Sequence, residues 1–155
     1  MFRDPRSKPG VPWGKRKKLL PLLLAMAASA SNATDVVVHV TGLGQPLGQV
    51  GCSLFSRATG FPMDATAART QWLPADAQGV TCRFNDVPAG TYAVSIGHDL
   101  NGNRRVDTNF IGMPVEQWGV SNNARPFLRA PRFDEAAFQV ASDGKDLVID
   151  IEVAK

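Results

Sequence analysis

From Asp35 onward, apolar and polar residues alternate with a period of two, the pattern of strands that bury one face. Val36, Val38 and Val40 share one side of Asp35 to Thr41, and Val50, Cys52 and Leu54 share one side of Gln49 to Ser56. Val80, Cys82 and Phe84 repeat the pattern. Tyr92, Val94 and Ile96 form a fourth row in Thr91 to Gly97, entered through the turn Val87-Pro88-Ala89-Gly90. Near the end, Ala137 to Ser142 is expected to turn at Asp143-Gly144 and return as Leu147 to Val153 in a hairpin. That return places Leu147, Ile149, Ile151 and Val153 on one face. Helical periodicity is confined to about a turn near Phe133 to Phe138. Six strands with short turns predict an all-β fold, an antiparallel β-sandwich.

Two stretches interrupt this rhythm, Arg57 to Gly79 and roughly Asp99 to Arg132. Connections longer than about 15 residues in a small domain are usually functional or disordered. The second is rich in Phe, Trp, Pro and Gly and poor in charge runs, so it is expected to be one long ordered loop.

Residues 1–33 follow a different logic. Lys15-Arg16-Lys17-Lys18 is a basic segment and Leu19 to Ala28 an apolar one. Ala28-Ser29-Ala30 or Ser31-Asn32-Ala33 offers small residues for cleavage. The apolar run falls short of the roughly 20 residues a bilayer span requires. An export signal over 1–33 is therefore expected, followed by one domain over 34–155 with no transmembrane helix, periplasmic or secreted. No Cys closely follows the apolar run, so lipoprotein processing has no acceptor.

Removing the signal reverses the electrostatics. Residues 1–33 hold seven of the 17 Lys+Arg and one of the 14 Asp+Glu, leaving 10 against 13, a formal −3 in place of +3. The basic pI thus belongs to the signal and gives no reason to expect a nucleic-acid partner. Arg104, Arg105, Arg125, Arg129 and Arg132 lie between residues 99 and 137 with Asp99, Asp107, Glu116, Asp134 and Glu135, and local ion pairing is expected there.

Cys52 and Cys82 are the only cysteines, and both take the phase of their apolar neighbours. In an oxidising compartment they are expected to form a disulfide; the alternative is two buried thiols that never meet. Their spacing excludes a CxxC redox pair.

The strongest chemical signal is His98-Asp99-Leu100-Asn101-Gly102-Asn103-Arg104-Arg105-Val106-Asp107. Asp99, Asn101, Asn103 and Asp107 stand at positions 1, 3, 5 and 9, the spacing with which a tight loop wraps calcium. Arg105 would supply a backbone carbonyl and Glu116 a closing carboxylate. It is not an EF-hand, because Arg104 stands where the invariant Gly belongs and Phe110 where the bidentate Glu belongs. So few negative charges predict weak affinity, on the order of 10⁻⁴ to 10⁻³ M. The competing expectation is a metal-free, buried network of Asn101, Asn103, Asn109, Asn122 and Asn123 that orders the loop, since Asn and Asp side chains tie up their own backbone in turns.

The run Pro88-Ala89-Gly90-Thr91-Tyr92, then His98-Asp99-x-Asn101-x-Asn103-x-x-x-Asp107-Thr108-Asn109, Gly112-x-Pro114-x-Glu116, Gly119-x-Ser121-Asn122-Asn123-Ala124 and Pro131-x-Phe133 resembles an uncharacterised family of small exported bacterial domains. That family is a domain of unknown function. The Pro-x-Gly-x-Tyr entry into a strand is also similar to transthyretin-like and carboxypeptidase-regulatory-like sandwiches. The resemblance implies a transthyretin-like or Ig-like fold and little about activity.

Catalytic signals are weaker. His98 and Asp99 are adjacent, so on a strand their side chains diverge, and Ser121 lacks a G-x-S-x-G elbow. His39 and His98 make no zinc motif. Trp72 and Trp118 lie in the two long stretches; with Phe110, Pro114, Phe127 and Phe133 nearby, Trp118 is expected to pack into a core, whereas Trp72 is open to stacking on a ligand. These residues predict a non-enzymatic binding or envelope-associated module with an envelope protein or saccharide as partner and calcium as its candidate ion. The alternative is an enzyme acting on an envelope or extracellular polymer through His98, Asp99 and Glu116.

Overall fold

In the computed structural model, which describes residues 34–155, the valine rows become facing sides of two sheets. The export signal expected at 1–33 lies outside the described residues. Strands β1 (Thr34–Thr41), β4 (Val80–Val87) and β8 (Leu147–Glu152) form one sheet in the order β4-β1-β8. The second runs β3-β2-β5-β6, from β3 (Arg69–Pro74), β2 (Gln49–Phe55), β5 (Gly90–Asp99) and β6 (Trp118–Val120). A short β7 (Phe138–Val140) pairs with the start of β5, and α1 (Phe133–Ala136) precedes it.

Register explains the core. Val36, Val38 and Val40 pair with Phe84, Cys82 and Val80 on one side and with Leu147, Ile149 and Ile151 on the other, so one face of that sheet is continuously apolar. It meets Val50, Cys52, Leu54, Val94 and Ile96 of the second sheet in a single buried cluster. Cys52 and Cys82 are bonded across this core with Cα atoms 6.5 Å apart, tying β2 of one sheet to β4 of the other.

Two expectations need correction. The C-terminal hairpin does not form: β7 joins β5, whereas β8 lies parallel to β1 in the opposite sheet. The Asp143 turn is present, its carboxylate accepting the Lys145 amide at 3.1 Å, but it leads the chain from one sheet to the other. The long stretches also contain strands, β3 in the first and β6 in the second. Both are edge elements of three to six residues without a clean apolar row, which alternation does not reveal.

The second sheet is covered on both faces. Along β2 every residue from Val50 to Phe55 is buried. Its outward row is Gly51, Ser53 and Phe55, opposite Gly97, Ser95 and Ala93 of β5. Over the Phe55 end, Phe61 and Phe133 stack edge-to-face, with centroids 5.2 and 5.8 Å apart along the series. Over the glycine and serine end lie the two long connections.

Candidate functional site

The loop between β5 and β6 is built on two buried carboxylates. Asp99 is 1 % exposed. Its Oδ1 accepts the amides of Asn101, Gly102 and Asn103 at 3.2, 2.7 and 3.2 Å, and its Oδ2 accepts that of Arg104 at 2.6 Å. Arg104 adopts a left-handed backbone at φ 60°, which bends the chain around the carboxylate. Glu116, 5 % exposed, bridges the ends of the turn: Oε1 accepts Leu100 N–H and Oε2 accepts Asp107 N–H, both at 2.9 Å.

The asparagines complete the turn from outside. Asn101 and Asn103 each donate Nδ2 to Asp107, at 2.6 and 2.7 Å, while their Oδ1 atoms accept the Asn103 and Arg105 amides. Asn109 accepts the Ile111 and Met113 amides at 3.1 and 3.0 Å, closing a tip at Phe110-Ile111-Gly112. Asn122 reaches the carbonyls of Glu135 and Ala137, and Asn123 accepts the Glu152 amide at 2.9 Å. All five asparagines are exposed; the buried anchors are the acids. Among the described residues, no three His, Cys, Asp or Glu side chains gather as a metal cluster.

His98 is fully buried, Nε2 lying 2.7 Å from the Leu47 carbonyl and Nδ1 3.2 Å from Gln117 Oε1. Gln117 in turn donates to the Gly42 carbonyl and accepts the Gly44 amide, so this group pins the β1–β2 connection to the base of the loop. His98, Asp99 and Glu116 thus each hold backbone, and all three are buried. Ser121 Oγ accepts the Val94 amide at 2.9 Å and donates to the Ala136 carbonyl at 2.5 Å, joining β5 to α1.

A cavity of about 360 Å³ lies beside the locked turn, over the low end of the second sheet. Its floor is low because the facing outward rows of β2 and β5 carry only Gly51, Gly97, Ser53 and Ser95. A Cβ on Gly51 would meet the Trp72 ring at 2.7 Å, and one on Gly97 would meet Val106 Cγ2 at 2.6 Å, so glycine is what lets both walls seat against the sheet. The serines are tied to the surroundings, Ser53 Oγ to Thr70 Oγ1 and Ser95 Oγ to the Pro62 carbonyl. Ile111, Met113 and Leu128 line the remaining wall.

Neither Trp72 nor Trp118 is fully buried, and both border this cavity. Trp118 packs against the small cluster around Val120 and Ala136, with the Arg125 guanidinium 5.6 Å from its ring centroid. The expected aromatic company is only partly there: Phe133 joins that cluster, but Phe110 is 98 % and Phe127 88 % exposed. The expected ion pairing is also partial. Arg129 and Arg132 pair with Asp134 and Glu135, whereas Arg104 and Arg105 line the cavity with no carboxylate partner among the described residues. Arg125 donates to the Glu152 carbonyl.

Alternation singles out the inward rows and passes over this site. Its sequence signal lies in the outward rows, where Gly51, Ser53, Ser95 and Gly97 stand in place of the charged residues of a solvated face.

No curated protein and no solved structure matches the chain. A family model described as an uncharacterized protein conserved in bacteria matches residues 38–148, spanning β2 to β7 with the carboxylate-locked loop, and the chain belongs to this family, DUF2141.

Proposed function

We propose that this protein is an exported, non-enzymatic binding module of the periplasm or secreted fraction, whose ligand enters the cavity beside Trp72 and Val106. One observation carries the reading: the loop that Asp99 and Glu116 hold in place also supplies Val106, Ile111 and Met113 to the cavity. Its volume falls in the range of small-molecule sites, about 300–1,000 Å³, and a preformed apolar wall is what such sites use. The enzyme alternative is weaker, because His98, Asp99 and Glu116 are engaged with backbone or Gln117 and none lines the cavity. We also read the Pro88-Ala89-Gly90-Thr91-Tyr92 entry into β5 as transthyretin-like.

The experiment is a titration with the neutral apolar dye N-phenylnaphthylamine. One dye per chain should bind with enhanced fluorescence, and Ala130→Trp, which places an indole at the cavity wall, should abolish it. A chain that binds no dye, or binds it equally well after Ala130→Trp, overturns this reading.

Calcium is a second reading, favoured by the convergence of Asn101 and Asn103 on Asp107. Turning both amides over would aim two more oxygens at the Asp107 carboxylate, as a hard cation requires. The same turn would release the Asn103 and Arg105 amides from their present acceptors, in keeping with weak affinity.

A further inference from the structure

We propose that the ligand of this cavity is a single-chain anionic amphiphile, its hydrocarbon tail against the apolar walls and its acidic head among Arg104, Arg105 and Arg129. The inference rests on the binding reading above and adds the chemical class.

Three observations converge on it. First, the lining is mostly apolar. The Trp72 ring and Val106 seat on Gly51 and Gly97, Met113 and Leu128 stand on the solvent side, and Ser53 and Ser95 already spend their hydroxyls on Thr70 and Pro62. A ligand body placed there finds little polar recognition and much surface to exclude from water.

Second, the charge around the cavity has one sign. Arg104, Arg105, Arg129 and Lys155 line it, and no Asp or Glu does, although acids outnumber bases across residues 34–155. Arg129 is held by Glu135, but Arg104 and Arg105 carry no ion pair among the described residues. Their backbone is fixed all the same, since the Arg104 amide binds Asp99 and the Arg105 amide binds Asn103. Two unpaired guanidinium groups on an ordered turn are suited to a carboxylate, sulfate or phosphate head, which they can bind through charge-assisted, two-pronged hydrogen bonds.

Third, the apolar surface continues outward. Phe110 and Ile111 on one loop tip, and Phe127 and Leu128 on the other, are exposed beside cavity-lining residues. Ile111 and Leu128 line the cavity while 67 % and 70 % exposed, so part of its apolar lining is open to solvent and free to meet a ligand tail.

The test compares three ligands with nearly equal straight-chain tails and different heads: laurate, dodecyl maltoside and dodecyltrimethylammonium, titrated as monomers by calorimetry. Laurate should bind one per chain, at least about tenfold tighter than either of the others, as one charge-assisted contact implies. In Arg104→Asn/Arg105→Gln that preference should collapse to about twofold, and Arg129→Gln should reduce it by less, since Glu135 already shares that group. Circular dichroism of each variant confirms the fold.

Equal affinity for the three heads, or an undiminished laurate preference in the double variant, overturns the anionic assignment. If N-phenylnaphthylamine still binds in that case, the binding reading stands without it; if neither dye nor laurate binds, both fail. Co-sedimentation with phosphatidylglycerol vesicles without one-to-one uptake of free laurate would replace the monomeric ligand with a membrane surface and overturn the proposal as stated.

Discussion

Between the sheets, the buried cluster is made of Val, Leu, Ile and Phe side chains and one inter-sheet disulfide, whereas the turn after β5 rests on two carboxylates that accept six backbone amides. The first arrangement is non-directional and cooperative, because removing apolar area anywhere weakens the whole sandwich. The second is directional and local. It orders a surface segment that has little apolar area of its own to bury, and it needs two buried acids to do so. The two arrangements meet at Asp99, the last residue of β5, so the cavity wall is fixed to the sheet but not by the core. A ligand cavity gains from this division, since its wall can change without disturbing the sandwich.

The largest expected effect comes from cutting the bond between the sheets. Cys52→Ala/Cys82→Ala removes a cross-link closing about 30 residues, for which unfolded-state entropy predicts a loss of roughly 3 to 4 kcal/mol. Urea denaturation should show the midpoint falling for the whole protein, with near-UV and far-UV signals moving together. Separate transitions would mean that the sheets are less tightly coupled than the common core implies.

A smaller and confined effect is expected at the loop. Asp99→Ala removes the acceptor of four amides, and the opening free energy of the turn should fall by about 2 to 3 kcal/mol, given the usual strength of hydrogen bonds to a charged group. Hydrogen exchange should accelerate at Gly102 and Arg104 while β1 and β4 amides stay protected. The same measurement bears on calcium. If the ion binds with a Kd of about 0.1 mM, about 10 mM calcium should stabilise the wild type by roughly 2.7 kcal/mol and Asp99→Ala not at all. Identical melting and exchange with and without calcium would leave the loop to its own hydrogen bonds.

This contrast also accounts for what the sequence made legible. Alternation follows from apolar burial, so it exposed β1, β2, β4, β5 and β8 and the inward phase of both cysteines. It was silent on partners: nothing local to Leu147–Glu152 distinguishes a hairpin with β7 from a parallel place beside β1, because register and neighbour are decided by distant contacts. At the loop, the spacing of Asp99, Asn101, Asn103 and Asp107 reads as calcium ligands with Glu116 as closing carboxylate; in the structure Asp99 and Glu116 accept backbone amides and the two asparagines donate to Asp107. Which atoms those oxygens face depends on backbone geometry, and a carboxylate that wraps amides has the same sequence spacing as one that wraps an ion. The cavity was legible only in negative form, as outward strand positions at Gly51, Ser53, Ser95 and Gly97 that lack charge.

The smallest expected effect sharpens the boundary between the two regions at the far wall of the cavity. Glu135 accepts Arg129 Nη1 at 2.8 Å and Nη2 at 2.5 Å, and its Oε2 also accepts the Arg132 amide at 2.8 Å at the start of α1. The Arg129 guanidinium, aided by that amide, pushes the Glu135 carboxyl down from 4.5 to about 2. A folded-state value below the unfolded one means that the stabilisation is fully present above about pH 4.5 and is lost as pH falls through about 2. The pair is open to solvent, so its contribution to global stability is small and salt-sensitive. Glu135→Gln should therefore unfold slightly earlier than wild type at neutral pH, with the gap narrowing as pH drops from about 4.5 toward 2 and shrinking in high salt. Local exchange at the Arg132 amide should respond more than the urea midpoint, because this contact holds a loop and a four-residue helix and leaves the core untouched. A neutral-pH gap as large as that of the disulfide variant would show that the far wall is part of the cooperative sandwich; the same gap at every pH would show that Glu135 acts through something other than its charge.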